Sequence, residues 1–291
     1  MKRKRLLRLR GSTRGIIIFL CVVLLLVAGI FTYLHLHSIA DAEYLEILFV
    51  DVGQGDSALL SHRDGNILID TGTTESGAVI GNVLREHGGY LSCLVLTHPH
   101  SDHTGGAAYI IENFKIDTVI LPEDMAENDP ILKAIRQKNI STTTLQPGKA
   151  FRIGEMQFTC LAPLSEHNWE NDNSYVIRLD YGEMSALFTG DAESASEATQ
   201  LAVYGAAPGG FLDVDLLKVG HHGSYTSSTD LYLAAVTPEY AVISCGVDNA
   251  YGHPHKEAIA HLMECGARIL RTDLSGTGGV RTDGKTLELI P

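Results

Sequence analysis

Residues 97–106 read THPHSDHTGG and place His98, His100, Asp102 and His103 within six positions. Neutral imidazoles beside a carboxylate are the donors that suit zinc, and less selectively manganese or iron. His98 and His100 alternate as a pair, while Asp102 and His103 follow one step later, a spacing able to serve two neighbouring cations rather than one. A lone histidine is ordinarily satisfied by water or backbone. Four ligand-type side chains packed this closely point instead to a metal centre.

Two later stretches can complete that centre. In LFTGDA, Asp191 follows an apolar run and a glycine, where a carboxylate can bridge two ions; in LKVGHHGS, His221 and His222 again follow an apolar run. Either stretch alone is weak, since Gly-Asp is an ordinary turn, but the shared placement at strand ends joins them to the first cluster. ILIDTG puts Asp70 at the end of a further run. An acid there either orients a ligand histidine by accepting its second N–H or simply forms a turn. FVDVGQGDS places Gly53, Gln54, Gly55 and Asp56 in a tight loop. Its glycines either admit a substrate phosphate to the backbone or make the bend, and the loop is too short, and lacks the lysine, to be a nucleotide P-loop. Lys218, His221, His253 and the serines Ser224, Ser227 and Ser228 are candidates for phosphate contact or proton transfer, whereas His255 reads as a helix-terminal surface residue.

These residues need strands to carry them. Tyr44–Val50, Ser57–Ser61 and Asn66–Asp70 are short apolar runs split by glycine turns, an expected antiparallel meander. A helix over Val79–His87 leads to a buried strand, Leu91–Thr97, directly before the histidine cluster. Gly105–Phe114 reads as a helix, Thr118–Leu121 as a strand, and Pro130–Lys138 as a helix opening on proline, where the missing N–H does no harm. Met156–Ala162, Ser174–Leu179, Ser185–Thr189, Val214–Val219, Tyr240–Ser244 and Arg268–Leu270 read as strands, with helices over Ala195–Val203 and Pro254–Cys265. A terminal hairpin is expected over Gly278–Ile290, turning at Asp283-Gly284. Strand groups interleaved with helices predict an α/β domain over residues 43–291.

The N-terminus is of another kind. GIIIFLCVVLLLVAGIFTYL, residues 15–34, is twenty residues without a charge, and at ~1.5 Å per residue it matches a hydrocarbon core of roughly 30 Å. Residues 1–14 carry Lys2, Arg3, Lys4, Arg5, Arg8, Arg10 and Arg14 and no acid, so the positive-inside rule predicts a single-pass anchor with a cytoplasmic N-terminus and the domain outside the cell. Residues 35–42 would be the linker. A signal peptide cleaved after Ala42 is the alternative, although its apolar stretch is usually shorter, about 7–15 residues; the domain is exported either way. Beyond the anchor, 15 basic residues face 35 acidic ones, so a polyanion would approach only with help from cations or a basic partner. The five cysteines show no CxxC pair and read as small core residues, although an oxidising exterior permits one bridge.

Together, His98-x-His100-x-Asp102-His103, the upstream Asp70, Asp191 and His221-His222 resemble the metal motifs of the metallo-β-lactamase superfamily in their order along the chain. FVDVGQGDS, NDNSYVI, LFTGDA, LKVGHHGS and YGHP are similar to the extracellular hydrolase domain of ComEC-type DNA-uptake proteins and related phosphorylcholine esterases. The resemblance implies a four-layer αββα sandwich with two divalent cations, zinc or manganese, at one edge of the sheets. His98 and His100 would hold the first, Asp102 and His103 the second, and Asp191 would bridge. The last ligand is His221 or His222, with His222 expected and His221 turned toward substrate.

One departure is chemical. Many superfamily members carry another histidine between the first motif and the bridging aspartate, whereas here that interval holds only His167 and the polar run ENDNS, so Asn173, Asp172 or water is expected near the first cation. The other is architectural. With one span, the chain is not expected to form a DNA channel itself. The implied activity is a phosphodiesterase or nuclease in a DNA-uptake or envelope setting, in which Lys218, His221 or His253 neutralises charge or protonates the leaving group. Cell-wall or phosphorylcholine phosphodiesters are the alternative substrates, and a non-catalytic scaffold of an uptake assembly is the alternative of another class.

Overall fold

A computed structural model describes residues 11–41, 44–123, 125–168 and 170–290. Helix α1 (Gly11–Asp41) forms one unit, and the residues from Tyr44 onward form another. Within α1, Gly15–Thr32 has a mean hydropathy of 3.0, and this is the one helix among the described residues long and apolar enough to cross a membrane. The helix continues through residues 35–41, where a linker was expected. Residues 1–10 and Ala42, which hold most of the basic segment and the alternative cleavage point, lie outside the described residues.

The second unit begins with β1 (Leu45–Phe49), β2 (Ala58–His62), β3 (Gly65–Ile69), α2 (Gly77–Glu86), β4 (Tyr90–Val95), α3 (Ser101–Thr104), α4 (Ala107–Asn113), β5 (Lys115–Ile120), α5 (Pro130–Lys138) and β6 (Ser141–Thr143). It continues with β7 (Ala150–Ile153), β8 (Met156–Ala162), β9 (Val176–Tyr181), β10 (Met184–Phe188), α6 (Ser194–Tyr204), β11 (Leu216–Lys218), α7 (Asp230–Val236), β12 (Tyr240–Ile243), α8 (Lys256–Glu264), β13 (Arg268–Arg271), α9 (Thr272–Ser275), β14 (Gly278–Thr282) and β15 (Leu287–Ile290). Among the described residues the strands make two mixed sheets, ordered β15-β14-β1-β2-β3-β4-β5-β6 and β13-β12-β11-β10-β9-β8-β7.

Strand periodicity explains the layering. Along β1, Leu45, Ile47 and Phe49 point into a core shared with Phe158, Ile177 and Phe188 of the facing sheet, while Leu48 points the other way. β3 divides likewise, with Ile67 and Ile69 inward and Leu68 outward. The outward residues of the first sheet pack on Ile80, Leu84, Ile110, Ile111, Ile131 and Ile135 of α2, α4 and α5. Those of the second, such as Leu187 and Leu217, pack with Tyr232, Leu233 and Leu262 of α7 and α8. The result is the expected αββα sandwich.

Local chemistry sets the helix ends. Asp129 accepts a hydrogen bond from the Ile131 N–H at 2.8 Å, Pro130 occupies the first turn, and Asn139 stops α5 in the left-handed conformation at φ 54°. The helix expected over Gly105–Phe114 is present as α4, Ala107–Asn113, and starts after the glycine pair. A Cβ at Gly105 would sit 2.4 Å from the Ser101 carbonyl oxygen and one at Gly106 2.4 Å from that of Thr71. This pair therefore brings the turn after the histidine cluster against the Asp70 loop. The short β6, β7 and α7 were not anticipated; α7 is capped by the Thr229 hydroxyl, which accepts from Tyr232 N–H.

The parallel strands position the candidate site. β3 pairs parallel with β4, and β10 with β11. Asp70 follows β3, the histidine cluster follows β4, Asp191 follows β10, and His221-His222 follow β11, so all these loops leave the carboxyl ends of adjacent strands.

Candidate metal centre

The loops converge. His98, His100 and Asp191 offer donor atoms that all lie within 4.8 Å of one another, as do Asp56, His103, Asp191 and His222. Asp102 extends the second group, with its Oδ2 3.3 Å from His222 Nε2. Asp191 is common to both groups: its Oδ1 lies 3.1 Å from His103 Nε2, and its Oδ2 3.6 Å from His222 Nε2 and 3.9 Å from His98 Nε2. Gly190 (φ 52°) makes the turn that presents it, where a Cβ would press on Ser174 and Thr97 at 3.0 and 3.1 Å.

The proton positions follow from what each imidazole meets on its far side. His103 Nδ1 lies 2.8 Å from Asp70 Oδ2, which also accepts from the Thr97 hydroxyl at 2.7 Å, while Asp70 Oδ1 accepts from Thr97 N–H at 2.8 Å. The Thr97 hydroxyl is thereby spent as a donor and can only accept from His98 Nδ1 at 3.1 Å. His100 donates Nε2–H to Glu170 Oε2 at 2.8 Å, and His222 donates Nδ1–H to the Ser244 carbonyl oxygen at 2.9 Å. Each of the four rings thus gives away one N–H and turns its lone pair inward. His98 Nε2 and His100 Nδ1, two such lone pairs, face each other at 3.0 Å. His103 Nε2, His222 Nε2 and Asp191 Oδ1 are buried without a hydrogen-bond partner among the described residues. Converging lone pairs and a shared carboxylate fit two divalent cations, and outward N–H bonds of this kind hold ligand histidines in place.

Asp56 belongs behind the ligands. Its Oδ2 lies 2.5 Å from Lys218 Nζ, and its Oδ1 lies 3.2 Å from His222 Nδ1, the nitrogen opposite the one aimed at Asp191. Lys218 is itself buried and also donates to the Val219 carbonyl oxygen at 2.8 Å. It is therefore an internal counter-charge, off the pocket wall, rather than the substrate-neutralising cation expected from sequence. The glycine of the same loop is likewise used internally: a Cβ at Gly55 would lie 2.4 Å from the Asp102 carbonyl oxygen.

Electrostatics follow the pairing. Burial alone raises a carboxylate, yet the charges of His103 and His222 hold Asp191 well below its ordinary range. Burial lowers His222, but Asp191 and Asp56 outweigh it and push the ring up to about 10; His103 is raised well above its usual value against the same burial, by Asp191 and Asp70. Asp56, opposed by burial and favoured by Lys218, falls to about 2. His98, buried and beside His103, is held well below the ordinary imidazole. A buried carboxylate cluster of this kind draws positive charge, as protons or as metal cations.

An open pocket of about 320 Å³ lies over these groups, lined by Gln54, His100, Ser101, Asp102, Asn171, Asp191, His221, His222, Tyr251 and His253. His221 reaches it from a turn in which His221 (φ 46°) and His222 (φ 54°) are both left-handed, a conformation costing each about 1–2 kcal/mol. Such strain collects at functional sites. His221 Nδ1 lies 2.9 Å from Glu193 Oε1, leaving Nε2 3.9 Å from Asp191 Oδ2. His253, lowered to about 4 by burial and the neighbouring His221 and His222, lies with Nδ1 3.5 Å from Gln54 Nε2.

The polar run ENDNS resolves differently from expectation. Asp172 Oδ1 accepts from the Glu193 and Ser196 N–H groups at 3.0 and 2.9 Å, and Asn173 pairs with the His167 backbone. The pocket instead receives Asn171, whose Oδ1 is buried and has no hydrogen-bond partner among the described residues. Ser227 is also internal, donating to the Gly220 carbonyl oxygen at 2.8 Å, and His255 Nδ1 accepts from Tyr225 N–H at 3.2 Å. Cys93, Cys160 and Cys245 are buried and free. Glu170, Glu193, Asn171 and Tyr251 were not singled out from sequence; only the alternation of acids with amides before Asn173 hinted at the first and third.

The comparisons agree with this geometry. A family profile described as the metallo-beta-lactamase superfamily matches residues 50–247. The chain is 31% identical over 255 residues to ComE operon protein 3 of Bacillus subtilis, covering 80% of this chain and 32% of that protein. It is 33% identical over 231 residues to competence protein ComA of Neisseria gonorrhoeae, covering 78% and 30%. The chain thus spans about a third of the length of these relatives. Among solved structures, the metallo-beta-lactamase fold protein YhfI from Bacillus subtilis aligns with a TM-score of 0.55 at 15% identity, over 78% of this chain and 96% of that one. The diiron β-hydroxylase CmlA from Streptomyces venezuelae aligns at 0.54 and 16%, over 81% and 53%.

Proposed function

Because the chain belongs to the metallo-beta-lactamase superfamily, we propose that it is a membrane-anchored, outward-facing hydrolase of phosphodiesters, with DNA as its substrate. The observation that carries the hydrolase reading is the set of four imidazole lone pairs converging on Asp191 beneath an open pocket. The names of the competence relatives support the DNA-uptake setting, and the apolar α1 behind a basic N-terminus supports the anchor.

His98, His100 and Asp191 would hold one cation, and Asp102, His103, Asp191 and His222 the other. When bound, such a pair polarises phosphoryl oxygens and lowers the pKa of a water toward about 7. The protein's own groups do the rest. Asp70, Glu170, Thr97 and Ser244 fix which nitrogen of each ring is basic. Lys218 keeps Asp56 ionised behind His222. Glu193 holds the Nδ1–H of His221, which leaves Nε2 facing the pocket to move a proton at the leaving oxygen. Asn171 stands on the pocket wall, and its amide is a poorer metal donor than an imidazole and leaves room for a phosphoryl oxygen.

The test compares single-stranded DNA, bis(p-nitrophenyl) phosphate and a β-lactam as substrates of the detergent-solubilised, zinc- or manganese-loaded chain. Phosphodiester turnover that disappears in Asp191→Ala, with circular dichroism unchanged, is the expected result. Faster lactam turnover, or two bound ions with no phosphodiester cleavage, would overturn the proposal.

A further inference from the structure

The pocket opens onto a row of aromatic rings that the hydrolytic chemistry does not use. Tyr251 lines the pocket and stacks on His253, with ring centroids 5.7 Å apart and planes at 21°. His253 meets His255 at 4.8 Å, and His255 meets Tyr225 at 5.0 Å, both edge to face. Tyr251 and Tyr225 are nonetheless 67% and 64% exposed. With one face of Tyr251 covered by His253, that exposure belongs largely to its other face, which is presented to solvent beside the metal-ligand cluster.

The loop that carries Tyr251 is built to hold it. Asn249 donates from Nδ2 to the Gly246 and His253 carbonyl oxygens at 2.9 and 2.6 Å, and its Oδ1 accepts from His253 N–H at 3.0 Å. Gln54 reaches across from the β1–β2 loop to His253 and also accepts from Gly246 N–H at 3.2 Å. A ring laced down on one side and bare on the other is pre-organised for stacking, so little ordering cost attends binding.

We propose that Tyr251, backed by His253, is a stacking platform for an unpaired nucleobase next to the scissile phosphate, so that the substrate is single-stranded nucleic acid. The proposal rests on the phosphodiesterase reading. Size favours it: a pocket of about 320 Å³ that must take the cations and a phosphate leaves the flanking base outside, at the rim where Tyr251 lies. Charge favours it too. With 35 acidic residues against 15 basic ones beyond the N-terminal segment, phosphate neutralisation by side chains contributes little, and stacking, which is indifferent to sequence, must supply affinity. A glycerol- or ribitol-phosphate polymer has no ring to place there.

The test is a cycle of two proteins and two oligonucleotides: the full chain in detergent and Tyr251→Ala, each with a single-stranded oligonucleotide and with its counterpart bearing tetrahydrofuran abasic residues. Binding is read by fluorescence anisotropy and cleavage by KM and kcat. The expected Tyr251→Ala penalty on binding is about 5- to 150-fold with the base-bearing strand, largely in KM, at least fivefold smaller with the abasic strand, and reversed by Tyr251→Trp. Equal penalties on both strands, or none on either, would overturn the platform. Base-dependent binding without cleavage would leave the platform standing and remove the phosphodiesterase reading.

Discussion

Replacing Asp70 by asparagine isolates the claim that outward hydrogen bonds set the ligand nitrogens. The change is nearly isosteric, and Asp70 sits at φ 59°, a conformation that asparagine tolerates, so the backbone has no reason to move. The carboxylate accepts three bonds, from Thr97 N–H, the Thr97 hydroxyl and His103 Nδ1–H. An amide has one oxygen, so its NH2 must face one of those donors. If Oδ1 keeps Thr97 N–H, the NH2 meets both the threonine hydroxyl and His103 Nδ1, and His103 escapes only by moving its proton to Nε2, the nitrogen 3.1 Å from Asp191. That tautomer cannot ligate. The expected loss of metal affinity is about 10–100-fold, or ~1.4–2.7 kcal/mol, measured by competition with a chromogenic chelator on the detergent-solubilised chain. Excess metal should recover part of the turnover. Unchanged affinity at the site that contains His103, with the fold intact, would refute the reasoning.

Lys218→Met strands the buried Asp56 carboxylate and is expected to destabilise the domain by about 3–5 kcal/mol in urea unfolding, with Asp56→Asn in the same chain recovering most of it. Gly55→Ala drives a Cβ to within 2.4 Å of the Asp102 carbonyl oxygen; a cost of about 1–3 kcal/mol should appear together with weaker binding at the cation site that contains Asp102, seen in the same unfolding and chelator assays. Glu197 gives a pH signature. Burial lifts it to about 7, although it accepts from Ser228 and Thr229. The native chain therefore holds a proton between pH 4.5 and 7 that the unfolded chain has released, so this contribution is complete below about 4.5 and lost as pH rises through 7. Glu197→Gln should flatten stability between pH 5 and 8 measured by chemical unfolding; an unaltered slope would contradict the assignment.

Much of this was legible in the residues. Apolar runs ending in His98, Asp191 and His222 are strands whose ligands emerge at carboxyl ends, because parallel pairing aligns those ends and residue type marks the loops. Helix α5 was legible to the residue, since proline, a capping aspartate and an apolar i, i+3, i+4 face coincide. What escaped was direction. In ENDNS all five side chains are polar, and only the short helical turn at Glu170–Asn173 decides that Asn171 faces the pocket, Asp172 caps α6 and Asn173 turns to His167. Lys218 looked available because lysines usually are; its burial depends on Asp56, 162 positions earlier in the chain, which no local pattern reveals. The short β6 and β7 lie at the ends of their sheet orders and carry no fully buried residue, so they lack the apolar signal that marks the other strands.

The central claim is that loops from four strand ends hold two cations around Asp191. An anomalous difference map from crystals of the manganese- or zinc-loaded protein tests it most directly. Two peaks are expected, one touching His98 Nε2, His100 Nδ1 and Asp191, the other touching Asp102, His103 Nε2, Asp191 and His222 Nε2. A single peak on the Asp56 side of His222, or none within reach of Asp191, would contradict the account.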